Sequence, residues 1–156
     1  MGSVSYRRRT GFTLVELVVV ITILGVLAAF AIPRFMNLQG AARQAALTGM
    51  LGSMRSAATL ANSVSRTRQL APNAPIQMEG AAISMFNRYP DAPGMFLAAN
   101  LELGDEFQTQ TFGDVAFTVW ATGTSGWGAC GVAYVRSVPP FIPLPLYLGP
   151  NAGGCE

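Results

Sequence analysis

From Phe12 to Pro33 the chain runs for 22 residues with a single charge, Glu16, and the next ionisable side chain is Arg34. As a helix this run measures about 33 Å at ~1.5 Å per residue, enough to cross the hydrocarbon core of a bilayer. So long an apolar run belongs in lipid or against other protein. A carboxylate placed there is costly to bury, which implies that Glu16 has a function or a partner.

Composition points the same way. The 156 residues are 51% hydrophobic and only 12% charged, one domain's worth of material with more apolar surface than water tolerates. The sequence has no Lys and no His, and its ten basic residues are arginines scattered along the chain apart from Arg7, Arg8 and Arg9. A net charge of +2 so distributed offers no basic face, and specific nucleic-acid binding is not expected. Beyond residue 11, seven arginines face eight acids, a near-neutral balance that suits self-association better than long-range steering.

The basic cluster Arg7 to Arg9 directly precedes the apolar run and should stay in the cytoplasm. A cleavable secretory signal is the competing reading, because Ala29-Phe30-Ala31 before Ile32 has the small-x-small pattern, and Arg8-Arg9 hints at a twin-arginine signal. Glu16 counts against both, since a cleavable signal gains nothing from a carboxylate in its apolar core. So does the helical pattern past Pro33, where Leu38, Ala42, Ala45, Ala46, Met50, Met54, Ala57, Ala58, Ala61 and Val64 recur mostly every three or four residues. An amphipathic helix thus continues from the apolar one, and Phe12 to about Ser65 would span ~80 Å if continuous and straight. Pro33 lacks an amide hydrogen and Gly25 is a weak helix former, so these two positions are expected to kink or loosen the helix, with ordinary tolerance of Gly and Pro in membrane helices as the alternative.

The basic leader, Gly11, the sequence Phe12-Thr13-Leu14-Val15-Glu16 and the long apolar helix with its Gly and Pro together resemble the prepilins, the class of type IV pilins and type II secretion pseudopilins. The resemblance implies that a prepilin peptidase cuts between Gly11 and Phe12 and then methylates the new Phe12 amine. It implies that Glu16, fifth in the mature chain, attracts the Phe12 amine of a neighbouring subunit during assembly; a protonated carboxyl hydrogen-bonded to its own helix is the alternative. The short leader is similar to that of type IVa prepilins, although Thr10 stands where a basic residue often precedes the glycine. The implied organisation is a leader over 1–11, a membrane and assembly helix over 12–35, an amphipathic half over 36–66 and a β-rich head over 67–156. The implied fold class is α+β, with the long helix packed on a small antiparallel sheet. The implied partners are further copies in a helical homopolymer, the peptidase, the assembly platform and secretin, the inner membrane before assembly, and surface glycans. The precursor would sit in the inner membrane and the product on the cell surface, serving adhesion, motility or DNA uptake; a pseudopilin forming a periplasmic piston is the alternative.

In the head, Gln69 to Pro75 breaks the helix and Ile76 to Met78 reads as a short strand. Tyr89-Pro90-Asp91-Ala92-Pro93-Gly94 reads as a turn, and Met95 to Leu103 as a short helix or buried loop. Val115 to Trp120 alternates as a strand, Gly123 to Gly128 turns, and Ala129 to Val135 pairs back antiparallel. Prolines 139, 140, 143 and 145 confine the next segment to edge or loop roles.

Cys130 and Cys155 are similar in placement to the pair that closes the C-terminal region of pilins, and the resemblance implies a disulfide, with two free thiols as the alternative. Together with Ala31 to Gln39, Ala41 to Arg43 and Tyr89 to Ala92, that pair resembles the mannose-sensitive haemagglutinin branch. Ser125 in Gly123-Thr124-Ser125-Gly126 has no histidine to activate it, so an enzyme is not expected. Asp105, Glu106 and Asp114 lack a complete calcium-loop signature and read as a solvated turn, with a calcium site as the weak alternative. No cofactor or metal is expected. Trp120 reads as core, while Trp127 is open between core and a sugar-stacking surface.

Overall fold

The computed structural model describes residues 11–138, 140, 144–150, 154 and 155, without the side chains of Met36 and Asn37. The leader arginines, Pro139 and Pro143 lie outside the described residues. The chain divides into two compact units, residues 1–38 and 39–156.

One helix, α1 (Leu14–Thr67), accounts for 54 residues. It is helical through both Gly25 and Pro33. In the first unit its apolar side chains face outward: Leu14, Leu24, Val26, Leu27 and Phe30 are all more than half exposed. In the second unit Leu47, Leu51, Met54, Ala57 and Ala58 are buried in the core of the head. The amphipathic stripe therefore differs from expectation at its start, where Leu38, Ala42, Ala45 and Ala46 are exposed. Leu47 and Leu51 take the buried role because the head's apolar side chains meet the helix only from that turn onward.

After α1 come two small hairpins, β1 (Ile76–Met78) with β2 (Ala81–Ile83), and β3 (Met85–Phe86) with β4 (Tyr89–Pro90). Each is closed by two residues with positive φ, Glu79-Gly80 at 49° and 84° and Asn87-Arg88 at 50° and 66°. Two left-handed residues in succession give the backbone twist that matches a tight hairpin. Arg88 is held there despite its Cβ: its amide donates to Pro72 O at 2.6 Å and its guanidinium to Leu70 O at 2.9 Å.

The segment read as a turn at Tyr89–Gly94 instead contains β4 and the start of α2 (Ala92–Ala98). Asp91 caps this helix by accepting from the Gly94 amide at 2.8 Å, and Pro93 stands in the first turn, where its missing N–H costs nothing. The helix also ends earlier than expected, at Ala98 rather than Leu103. Gly94 is required at the cap, since a Cβ there would stand 2.2 Å from Ser84 O.

The main sheet has the order β5-β6-β7-β8, all antiparallel, built from Phe107–Phe112, Ala116–Ala121, Gly131–Val135 and Leu146–Leu148. The expected central hairpin is present as β6 and β7, but a one-turn helix, α3 (Trp127–Cys130), takes the residues read as the start of the second strand. Phe117, Val119, Val132 and Tyr134 are buried against α1 and α2. Trp120 is half-buried and Trp127 is 42% exposed. The phenol of Tyr134 donates to Pro90 O at 2.5 Å in the core, and an aromatic file links Phe96, Phe117, Tyr134 and Tyr147 at centroid spacings of 6.2, 5.8 and 5.5 Å. The fold is α+β, a long N-terminal helix followed by small antiparallel sheets.

Candidate assembly site

The residues singled out by the sequence at the start of α1 are adjacent. Gly11 and Phe12 precede the helix, both exposed, with Phe12 at 77%. Thr13 and Glu16 then close the first turn reciprocally. The Thr13 hydroxyl accepts from the Glu16 amide at 3.2 Å, and the Glu16 carboxylate accepts from the Thr13 amide at 2.9 Å and hydroxyl at 2.7 Å. This is a capping box, which satisfies two helix-end donors at once. Its Thr-x-x-Glu spacing is legible in the sequence, and it gives Glu16 a bond to its own helix. Both bonds from Thr13 fall on Oε2, and among the described residues nothing bonds to Oε1. The carboxylate is thus anchored to its own helix by one oxygen while the other stays available.

Further along, the helix presents apolar side chains with few interruptions. Thr22 turns its hydroxyl inward to Val19 O at 2.8 Å, which leaves the surface of this turn apolar. At Gly25 nothing lies within 4 Å of where a Cβ would be, so its surface is open. Among the described residues, α1 is the helix long and apolar enough to cross a membrane.

At the far end of the chain, Cys130 and Cys155 form a disulfide with a Cα separation of 4.7 Å, and both are fully buried. It ties the end of α3 to the segment beyond β8. Two glycines make the corner fit. A Cβ on Gly154 would stand 2.1 Å from Ala129 O, and one on Gly131 would stand 2.5 Å from the Trp127 Cα. The free-thiol alternative is set aside, since neither cysteine is free.

The candidate acids do not converge. Asp105 and Glu106 are exposed in the turn before β5, whereas Asp114 pairs with Arg136 at 3.2 Å. Arg136 lies mostly buried with its Cζ 3.7 Å from the centroid of Phe86, a contact that sequence spacing gives no means to foresee. No group of three or more metal-ligating side chains occurs among the described residues. Burial pushes the Tyr147 phenol up to about 12, and it raises Tyr134 further in the same direction. These are packing effects, remote from any reactive group.

Comparison with known proteins bears on the same end of the chain. Residues 6–32 match the family model of the prokaryotic N-terminal methylation motif. Over 54 residues the chain is 46% identical to the type IV narrow pilus major component PilA5 of Thermus thermophilus. That match takes in 35% of this chain and 47% of the relative, so the chain spans about half the length of the curated protein it matches. No solved structure matches. By its methylation motif and its related N-terminal segment, the N-terminal part of the chain is similar to that of type IV pilins, and it leads an α+β architecture.

Proposed function

We propose that the chain is a pilus subunit whose leader is removed between Gly11 and Phe12 by a prepilin peptidase, with methylation of the new Phe12 amine, before its helices polymerise into a surface filament. The observation that carries this reading is the match of the methylation motif to residues 6–32, which brackets the cut, the amine and Glu16. Before assembly α1 anchors the precursor in the inner membrane with the leader arginines on the cytoplasmic side. In the filament the apolar side chains exposed on α1 cover one another.

The capping box supports a specific role for Glu16. In the stored subunit its Oε2 is held by Thr13, and in the filament its unbonded Oε1 accepts from the methylated Phe12 amine of the next copy. Neither charge is solvated in an apolar surrounding, so each gains by meeting the other, and the pairing selects register. Gly25 and Pro33 allow α1 to loosen as it leaves the membrane. The assembly platform and secretin carry the filament outward, where the heads serve adhesion, motility or DNA uptake and meet surface glycans. Ala31 to Gln39, Tyr89 to Ala92 and the late cysteine pair support a place near the mannose-sensitive haemagglutinin branch of type IVa pilins.

The test is Glu16→Ala in cells producing the filament. Leader cleavage should be unchanged while sheared filament falls at least about tenfold, the factor equivalent to ~1.4 kcal/mol. Normal filament yield from this variant would remove Glu16 from assembly.

A further inference from the structure

Charge is segregated along this chain. Between Leu17 and Met78 there is no acid, while Arg34, Arg43, Arg55, Arg66 and Arg68 all fall there. From Glu79 to Asp114 the balance reverses, with Glu79, Asp91, Glu102, Asp105, Glu106 and Asp114 against Arg88 alone. In the second unit, Arg55, Ser56, Thr59, Leu60 and Ser63 form one open, exposed face of α1. Apart from Arg55 and Leu60 its side chains are small, and the hydroxyls of Thr59 and Ser63 are turned onto Arg55 O at 2.9 Å and Thr59 O at 2.8 Å. Another backbone can therefore approach closely without stranding a polar group. Arg66 stands 11 residues beyond Arg55, about three turns and ~16 Å along the same side of the helix.

Both arginines are placed by neutral neighbours. Arg55 lies 5.6 Å from the centroid of Tyr147, and Arg66 Nε donates to Asn62 Oδ1 at 2.8 Å. Among the described residues neither meets a carboxylate. The complementary feature is the turn before β5. Its backbone is pinned by Thr122, which donates from its amide to Glu106 O at 2.8 Å and from its hydroxyl to Asp105 O at 3.0 Å. Glu102, Asp105 and Glu106 are exposed on it, and among the described residues none of the three carboxylates has a salt-bridge partner.

We infer that the exposed face of α1 from Arg55 to Arg66 receives the acidic turn Glu102–Glu106 of a second copy of this chain. This rests on the reading that copies polymerise. Helix face and turn are different surfaces, so the contact is head-to-tail and repeats along a filament rather than closing a dimer. An arginine covered by a neighbouring copy needs a carboxylate to offset its lost hydration, and the turn supplies three.

The test uses charge exchange in the full chain, in cells producing the filament. Arg55→Glu alone, and Asp105→Arg with Glu106→Arg, should each reduce sheared filament about tenfold or more, because each sets like charges against one another. Combining all three substitutions should restore the yield to within about threefold of the parent. No loss from either variant, or loss without rescue, would overturn the inference and leave this helix face to another partner. A second arm avoids any folding defect: Arg55→Cys combined with Asp105→Cys should yield disulfide-linked multimers in filaments under mild oxidation. Filaments of normal yield containing only uncrosslinked subunits would equally overturn it. Absence of filaments from the parent chain would instead fail the polymerisation reading itself.

Discussion

Removing the Cys130–Cys155 disulfide by changing both residues to Ala should be the most destabilising pair of conservative changes in the head. The bond joins positions 25 apart, and chain entropy for a loop of that size gives about 3.5 kcal/mol at room temperature. The enclosed segment carries only two strands, β7 and the three-residue β8, among its described residues, so other contacts compensate poorly. Ala is the right replacement because both sites are fully buried and Ser would bury a hydroxyl there. Urea unfolding of the detergent-solubilised chain, followed by tyrosine and tryptophan fluorescence, gives the free energy and its denaturant dependence. Freed of the cross-link, the unfolded chain exposes more surface, so m should rise while stability falls. The melting midpoint should drop by roughly 10–20 °C for a unit of this size. A loss below about 1 kcal/mol with unchanged m would refute the idea that the disulfide restrains the unfolded chain.

Two further perturbations concern the core. Tyr134→Phe removes the donor to the buried Pro90 carbonyl and should cost about 1–3 kcal/mol in the same urea assay, with an unaltered circular dichroism spectrum. Alkaline pH should also unfold the head. The folded pKa of Tyr147 is raised from 10.0 to about 12, so its contribution is complete below pH 10 and is lost as pH rises through 12. Tyr134 acts in the same direction. Stability should be flat to pH 9 and fall above 10, and Tyr147→Phe should remove part of that slope; an unchanged slope would deny the tyrosine its role.

The parts of this fold legible in the sequence are those in which one physical signal dominates. The apolar run and its Glu make α1 and its outer surface readable, and the alternation of Val115 to Trp120 marks β6. Where two signals compete, the sequence is ambiguous. Asp91 and Pro93 suit a turn, yet an Asx cap and a first-turn proline equally begin a helix, and Ala92 to Ala98 realises the second option. Strand β5, Phe-Gln-Thr-Gln-Thr-Phe, escapes a reading by hydrophobic pattern because it is a polar edge strand with five of its six residues exposed, so no buried face imposes an apolar alternation. Thr13 as the partner of Glu16 is a different case, since a cap is local and its spacing alone suffices to find it. The Arg136 contacts with Asp114 and Phe86 depend on how strands and hairpins come together, which no local pattern records.

On the proposed reading Phe12 is the first residue of the working subunit, its amine methylated and offered to Glu16 of a neighbouring copy. Mass spectrometry of the N-terminal peptide from material sheared off the cell surface tests this. The expected peptide begins at Phe12 and carries one additional methyl group on its amine. A mature chain beginning at Ile32, or one retaining Gly11 and the residues before it, would contradict it.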